Sequence, residues 1–412
     1  MSFLIIQGDA RHVPLADNAV HCVITSPPFF GLRDYNVAGQ LGLETTIEAY
    51  VANLVAVFRE VWRVLRKDGT VWLNLGDSYS GSWGNYSGQN RGNGTQRTIA
   101  NGSRIHQPSY DGLEQWRPPT TNTSSAGLKN KDLCMIPARV ALALQADGWT
   151  LRSMIPWLKR NPMPESVLDR PASAIEYIFL LTKTEKYYYD AEAIKQPSVT
   201  KDPRRPYTSN GAKMLDGRSV WHSGERRNGT DFSARARRNS DWFFDSWQGL
   251  LQDEDDDPLA LVVNTNGYKG AHFATFPSKL IEPLIKAGSS EKGVCTKCGG
   301  PYSRSLERRV MQPGITGGKT LYDKHRPDGG ILRAGGFGAG STTTLGWQPS
   351  CTCNAPRKKA VLFDPFGGAG TVGFTADRLG RDAICMDLSR PYCEMGKTRI
   401  IDDAPLLHWG TS

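Results

Sequence analysis

Short apolar runs and one long periodic stretch organise the first 75 residues. Phe3 to Ile6 is apolar and stops at Gly8-Asp9, as a strand ending in a turn does. Val20 to Thr25 is a second run. It ends abruptly at Ser26-Pro27-Pro28, where proline offers no N–H to a strand ladder. From Ile47 to Leu65 the apolar positions Leu54, Val57, Phe58, Val61 and Leu65 recur at helical spacing, and Lys67-Asp68-Gly69 is expected to close that helix. Thr70 to Leu75 reads as strand again. Strand alternating with helix predicts an α/β fold.

The pattern then lapses. Gly76 to Asn130 is dominated by Gly, Ser, Asn, Thr and Gln, with isolated Trp83, Tyr86, Tyr110 and Trp116. That is too long for an ordinary connector and is expected to be a disordered segment or a functional flap. Periodicity resumes with a helix over Leu133 to Ala146 and strands around Trp149 to Trp157 and Ala174 to Leu181. A short helix follows at Lys279 to Ala287. The last unit reads as strand Ala360 to Phe363, a glycine loop, helix Val372 to Leu379, strand Ala383 to Met386 with Asp387 at its end, and a helix from about Pro391.

Composition narrows the class. The 412 residues carry 50 Lys plus Arg against 41 Asp plus Glu, a net charge of +9, and the mean hydropathy is −0.43. A basic balance favours polyanionic partners without naming one. No run reaches the roughly 18 apolar residues of a membrane span. The start, MSFLIIQGDA, lacks the basic n-region of a signal peptide, so a cytoplasmic protein, bacterial or phage-encoded, is expected, with no membrane partner.

Charge is uneven along the chain. Lys195 to Ser240 holds eleven Lys/Arg and four acids, with Tyr207, Trp221 and Phe232 between them, followed by the acidic run Asp253 to Asp257. The acids read as solvated surface. Aromatics among arginines suit phosphate contact and base stacking. Four of the eight cysteines pair up as Cys295-x-x-Cys298 and Cys351-x-Cys353, separated by 52 residues. Clustered thiols in an intracellular chain suggest metal before disulfide, and four thiolates suffice for a closed, structural zinc site.

Gly368-Ala369-Gly370-Thr371-Val372-Gly373 follows a strand, and Asp387 lies nineteen residues beyond Gly368. Glycines allow close backbone approach, and the acid can accept ribose hydroxyl protons, as for NAD or FAD. Two features argue against a dinucleotide. Only 25 residues follow Asp387, too few for the remaining strands of such a domain, and Asp364-Pro365-Phe366 intervenes between strand and glycines. No Gly-Lys-Ser/Thr follows, which excludes an NTP-binding P-loop. The ligand implied has an adenosine-like ribose without a phosphate, as S-adenosylmethionine does.

VLFDPFGGAGTVGFTA with DAICMDLS resembles the cofactor loop of the amino-group DNA methyltransferases, and ITSPPFFGLRDY resembles their catalytic loop in its serine form. Catalytic loop first and cofactor loop last is the order of the circularly permuted β class. HFATFPSKLIEPLIKAGS and LKRNPMPESVLDRPASAIEYIFLLTKTEKYYYD match further, leaving 76–130, 195–265 and 293–357 outside.

The resemblance implies a permuted, Rossmann-like sheet of the class I methyltransferase type. Its catalytic half is 1–75, its core continues over 131–194, a cofactor-covering segment occupies 266–292, and the S-adenosylmethionine-binding unit is 358–402. Asp364, Pro365, Phe366, Gly367, Gly368, Gly370 and Thr371 are implied to line the cofactor, with Asp387 on its ribose. Asp9 is implied near the adenine, and Phe273, Thr275 and Phe276 over the methionine moiety. Lys159, Asn161 and Glu176 match the central block, where Glu176 also reads simply as a strand-edge acid.

Methylating an exocyclic amine requires its ring-delocalised lone pair to be drawn out and aimed at the methyl donor. Two acceptors for its N–H groups achieve this by orientation and electrostatics. Ser26 Oγ and the Pro27 carbonyl are the implied pair, Pro28 stiffens the loop and Phe29 stacks on the base. Within a duplex the base must be flipped out. In this family the Ser-Pro-Pro form usually accompanies cytosine N4 and the Asp-Pro-Pro form adenine N6, so cytosine is expected. Adenine N6, or a DNA-binding relative without catalysis, is the alternative.

Double-stranded DNA is the implied partner. A cognate restriction endonuclease and a homodimer are further partners the resemblance allows. Target recognition is assigned to 195–265, with Arg204, Arg205, Arg226, Arg227, Arg237 and Arg238 as contacts to phosphates or guanine edges.

Overall fold

The computed structural model describes residues 3–35, 37–80, 127–159, 169–170, 173–195, 261–262, 276–309 and 341–403. In chain order the elements are β1 (Phe3–Gln7), β2 (Val20–Thr25), α1 (Ile47–Val64), β3 (Leu65–Leu75), α2 (Ile136–Ala146), β4 (Thr150–Leu158), β5 (Ile175–Thr182) and β6 (Leu261–Val262). There follow α3 (Ser278–Gly288), β7 (Val294–Cys295), β8 (Tyr302–Arg309), β9 (Ser341–Pro349), β10 (Arg357–Lys358), β11 (Val361–Asp364), α4 (Thr371–Arg378), β12 (Asp382–Asp387) and α5 (Arg390–Asp403).

Eight strands share one sheet in the order β1-β12-β11-β2-β3-β5-β4-β6. The block from β1 to β3 is parallel, while β5 runs antiparallel to both of its neighbours. The first strand lies against the last, Phe3 opposite Ala383 and Gln7 opposite Asp387. Chain order therefore reverses between β11 and β2: β11 leads through α4 to β12 on one side, and β2 leads through α1 to β3 on the other. Open α/β sheets bind ligands at such a switch point, beyond the carboxyl ends of the strands.

Alternation along these strands builds two apolar layers, because successive side chains face opposite sides. Val23, Val71, Leu73, Phe363 and Ile384 pack with α1 and α2 on one face. Cys22, Ile24, Trp72, Leu362 and Cys385 pack with α3 and α4 on the other. Helix α1 starts at Thr46, whose side chain accepts the Ala49 N–H at 3.1 Å. It buries Tyr50, Leu54, Val57, Phe58 and Val61, each worth roughly 1.5–3 kcal/mol relative to exposure.

Two boundaries differ from expectation. Lys67-Asp68-Gly69 does not close α1: the helix stops at Val64, and Leu65, in extended conformation, opens β3 directly. Leu65 is fully buried opposite Val20, so tertiary packing takes the residue that the periodicity gave to the helix. Gly69 lies within that strand because a Cβ there would stand 2.5 Å from Leu65 Cδ1 and 2.8 Å from the His21 carbonyl. Helix α2 begins at Ile136 rather than Leu133, with Pro137 in its first turn and Asp77 Oδ1 accepting the Ile136 N–H at 3.0 Å.

Among the described residues no helix is long and apolar enough to cross a membrane. Trp83, Tyr86, Tyr110, Trp116 and the acidic run 253–257 lie outside the described residues.

Candidate active site at the carboxyl ends of β2 and β11

Strand β11 ends in Asp364, 2% exposed, and the glycine loop follows. Oδ1 of Asp364 accepts the Phe366 N–H at 3.0 Å and the Thr25 hydroxyl at 2.7 Å. Thr25 ends β2 next to Ser26, so this buried bond clasps the glycine-loop strand to the strand bearing the Ser-Pro-Pro-Phe loop. Burial pushes the Asp364 carboxyl up to about 7, and the two hydrogen bonds only partly offset it.

The glycine loop wraps the end of β12. The Gly368 N–H reaches Asp387 Oδ2 at 2.9 Å and the Ser389 N–H reaches Oδ1 at 2.8 Å, while Gly367 N–H bonds the Met386 carbonyl at 2.7 Å. Burial raises the Asp387 carboxyl above the usual carboxylate range. Gly370 opens α4 in the left-handed region at φ 69°, and a Cβ there would lie 3.0 Å from Gly396 Cα of α5. Glycine is required on both counts.

These residues line a cleft open to solvent. Asp9, Phe276, Asp364, Pro365, Phe366, Gly367, Gly368, Thr371 and Asp387 form its walls together with Ser26 and Pro28. Gly370 stands behind the loop against α5. Asp9 is held by Arg11, whose Nη2 lies 2.6 Å from Asp9 Oδ2, and that bond keeps the carboxyl below its ordinary range. Phe273, Thr275, Asn161 and all six recognition arginines lie outside the described residues.

The Ser-Pro-Pro-Phe loop is braced from both sides. The Tyr50 hydroxyl donates to the Pro28 carbonyl at 2.8 Å, and Gly31 N–H bonds the Gly42 carbonyl at 2.8 Å. Among the described residues no donor occupies the Pro27 carbonyl. Phe29 lies over Gly76, where a Cβ would meet its ring at 2.6 Å and Glu176 Cγ at 3.4 Å. Glu176 is ion-paired with Lys159, so two of the three matched residues of the central block lie on this side of the loop.

Asn74 and Tyr392 carry no sequence signal, and Tyr35 closes the ITSPPFFGLRDY match without being singled out there. Asn74 of β3, 5% exposed, accepts the Ser26 hydroxyl proton on Oδ1 at 3.0 Å while its amide reaches the Tyr177 carbonyl at 3.4 Å. Tyr35 and Tyr392 also line the cleft, edge to face with ring centroids 6.1 Å apart. All three depend on strands and loops distant in sequence.

The cleft thus joins a glycine loop and three acids to a braced loop that carries Ser26. The profile of the N6/N4 DNA methylase family matches residues 20–296, more than half of the chain. The chain belongs to that family. As a member it is a site-specific DNA methyltransferase acting on an amino group. It is 32% identical over 402 residues to the type II methyltransferase M.SmaI of Serratia marcescens, covering 96% of this chain and 90% of that one. Against the type II methyltransferase M.XycI of Xanthomonas campestris pv. cyanopsidis it is 38% identical over 291 residues, 70% of this chain and 73% of that one. Among solved structures it is similar to the PvuII DNA methyltransferase (cytosine-N4-specific), with a TM-score of 0.47, 13% identity and coverage of 98% and 89%.

Proposed function

We propose that this DNA methylase transfers the methyl group of S-adenosylmethionine to N4 of a cytosine flipped out of double-stranded DNA. The observation that carries the reading is the placement of Ser26 across the cleft from Asp364 and Asp387, with its hydroxyl proton turned toward Asn74. A serine whose proton is occupied presents its lone pairs, so Ser26 Oγ accepts one N–H of the amine and the Pro27 carbonyl accepts the other. Together they draw the nitrogen lone pair out of conjugation and aim it along the line of transfer.

When bound, S-adenosylmethionine supplies an electrophilic methyl on a sulfonium. Transfer would break the C–S bond as the N–C bond forms, leaving the neutral thioether, and the surplus amine proton would pass to solvent from beside the acceptors that hold it. The residues fit such a ligand: Asp387 keeps acceptor capacity for ribose hydroxyls, Asp9, anchored by Arg11, stands ready for the adenine, and Tyr35 and Tyr392 offer aromatic walls. Phe29, seated over Gly76, supplies a face for the extruded base.

Cytosine is preferred because position 26 is serine, a neutral acceptor, in the form that accompanies N4 methylation in the family it resembles. Recognition is assigned to 195–265, where Arg204, Arg205, Arg226, Arg227, Arg237 and Arg238 meet DNA. A cognate restriction endonuclease is the natural companion, since the relatives are type II methyltransferases by name. The test is nucleoside mass spectrometry of unmethylated DNA after incubation with protein and S-adenosylmethionine. N4-methylcytosine is the expected product, whereas N6-methyladenine would overturn the base assignment and leave the mechanism standing.

A further inference from the structure

The cysteines of the insertion 293–357 play no part in the cleft, yet the chain brings them together. The Sγ atoms of Cys295, Cys298, Cys351 and Cys353 all lie within 4.8 Å of one another, and no disulfide joins any of them. Ligands around a tetrahedral zinc with Zn–S bonds of about 2.3 Å stand roughly 3.8 Å apart, so even the widest pair need close by no more than about 1 Å.

The local backbone is built for this gathering. Strand β7 pairs with β10, setting Cys295 opposite Arg357. Gly299 N–H bonds the Cys295 carbonyl at 2.8 Å, and Gly299, at φ 70°, turns the chain back so that Gly300 N–H points at Cys298 Sγ at 3.4 Å. Ser350 N–H bonds the Pro301 carbonyl at 3.0 Å, closing the base of the β8–β9 arm where Cys351 begins.

Position defines the role. Arg66, at the start of β3, donates to the Cys298 carbonyl at 2.7 Å and pairs with Asp68 at 2.9 Å. Thr296 donates through N–H and hydroxyl to the Pro356 carbonyl, each at 2.9 Å, and β10 leads straight into β11. All these anchors sit where the parallel strands begin. Ser26 and Asp364 sit where they end, a strand length of ~15–20 Å away.

We propose that the four thiolates bind one Zn2+ in a closed tetrahedral site. Four cysteine ligands leave no open coordination position, so the metal is structural. It staples the base of the β8–β9 arm to the entry of β11.

The test uses the full chain, purified under reducing conditions without chelator. Elemental mass spectrometry is expected to find one zinc per chain, released as a mercurial reagent titrates the thiols. Cobalt substituted for zinc should give intense thiolate-to-metal charge-transfer absorption. Cys298→Ser and Cys353→Ser should retain less than a tenth of the metal, and Cys393→Ser, outside the cluster, should retain all of it. Should a ligand variant fail to fold, the wild-type chain still decides. If reduced wild-type protein given Zn2+ and desalted holds less than a tenth of an equivalent, or if fresh protein carries disulfides among these four cysteines, the proposal is overturned.

Discussion

Ser26 donates its hydroxyl proton to Oδ1 of Asn74 across the gap between the loop after β2 and the neighbouring strand β3, at 3.0 Å. On the proposed reading, Asn74 sets which lone pairs the serine shows to the substrate amine. Asn74→Ala is expected to lower kcat about 10- to 100-fold, the loss of roughly 1–3 kcal/mol of orientation, while cofactor affinity is kept. Asn74→Asp retains an acceptor and should restore most of the rate. Wild-type kcat in both variants would remove Asn74 from the account.

Gly76 tests the seat of Phe29 without touching a polar group. Its Cβ in Gly76→Ala would intrude to 2.6 Å from the ring, forcing Phe29 off its position. The variant should fold, as circular dichroism can check, and bind cofactor normally. Its kcat/KM for DNA should fall about tenfold, in line with a base-stacking contact of ~1–3 kcal/mol. An unchanged kcat/KM would mean that Phe29 does not meet the base.

The raised carboxyl of Asp364 has a pH signature. Its folded value of about 7 lies above the ordinary carboxylate value of 3.8, so between those limits the folded chain binds the extra proton. Stability from this group is therefore present in acid and is lost as pH rises through about 7. Buried His21, lowered from 6.5 to about 4 by desolvation, acts in the opposite sense over most of the same range. The clean readout is thus the difference from Asp364→Asn, which keeps the acceptor for Thr25 and Phe366. That variant should gain stability relative to wild type as denaturation is followed from pH 4 to 7. A difference independent of pH would contradict the assignment.

Arg226 and Arg227 fall in the segment assigned to DNA. If both meet phosphates, replacing both with alanine reduces the slope of log K against log salt by about 1.8, at ~0.9 per contact. Equal slopes for variant and wild type would move the recognition surface elsewhere.

Much of this site is legible in one dimension because its turning points are chemically abrupt. Proline at 27 and 28 ends β2 where the strand must end, and Asp387 closes β12 at the spacing its glycines imply. The periodicity of Leu54, Val57, Phe58 and Val61 gives α1 because that helix buries one face only. Contributions set by non-local pairing leave no such trace. Asn74 matters only because β3 lies beside β2, and Tyr35 meets Tyr392 only because β2 lies beside β11 and β11 beside β12. The start of α2 is set by Asp77, almost 60 residues before it, and the end of α1 by the burial of Leu65. The cysteine spacing signals a cluster, but only the pairing of β7 with β10 brings the two halves together.

The central claim is that methyl transfer occurs where Ser26 faces the glycine loop. Radiolabelled methyl transfer to unmethylated DNA, measured for wild type and Ser26→Ala beside calorimetric binding of S-adenosylmethionine, tests it most directly. The account requires Ser26→Ala to bind cofactor within about twofold of wild type and to lose at least 100-fold in transfer rate. Transfer by Ser26→Ala at the wild-type rate would place the chemistry elsewhere in the chain.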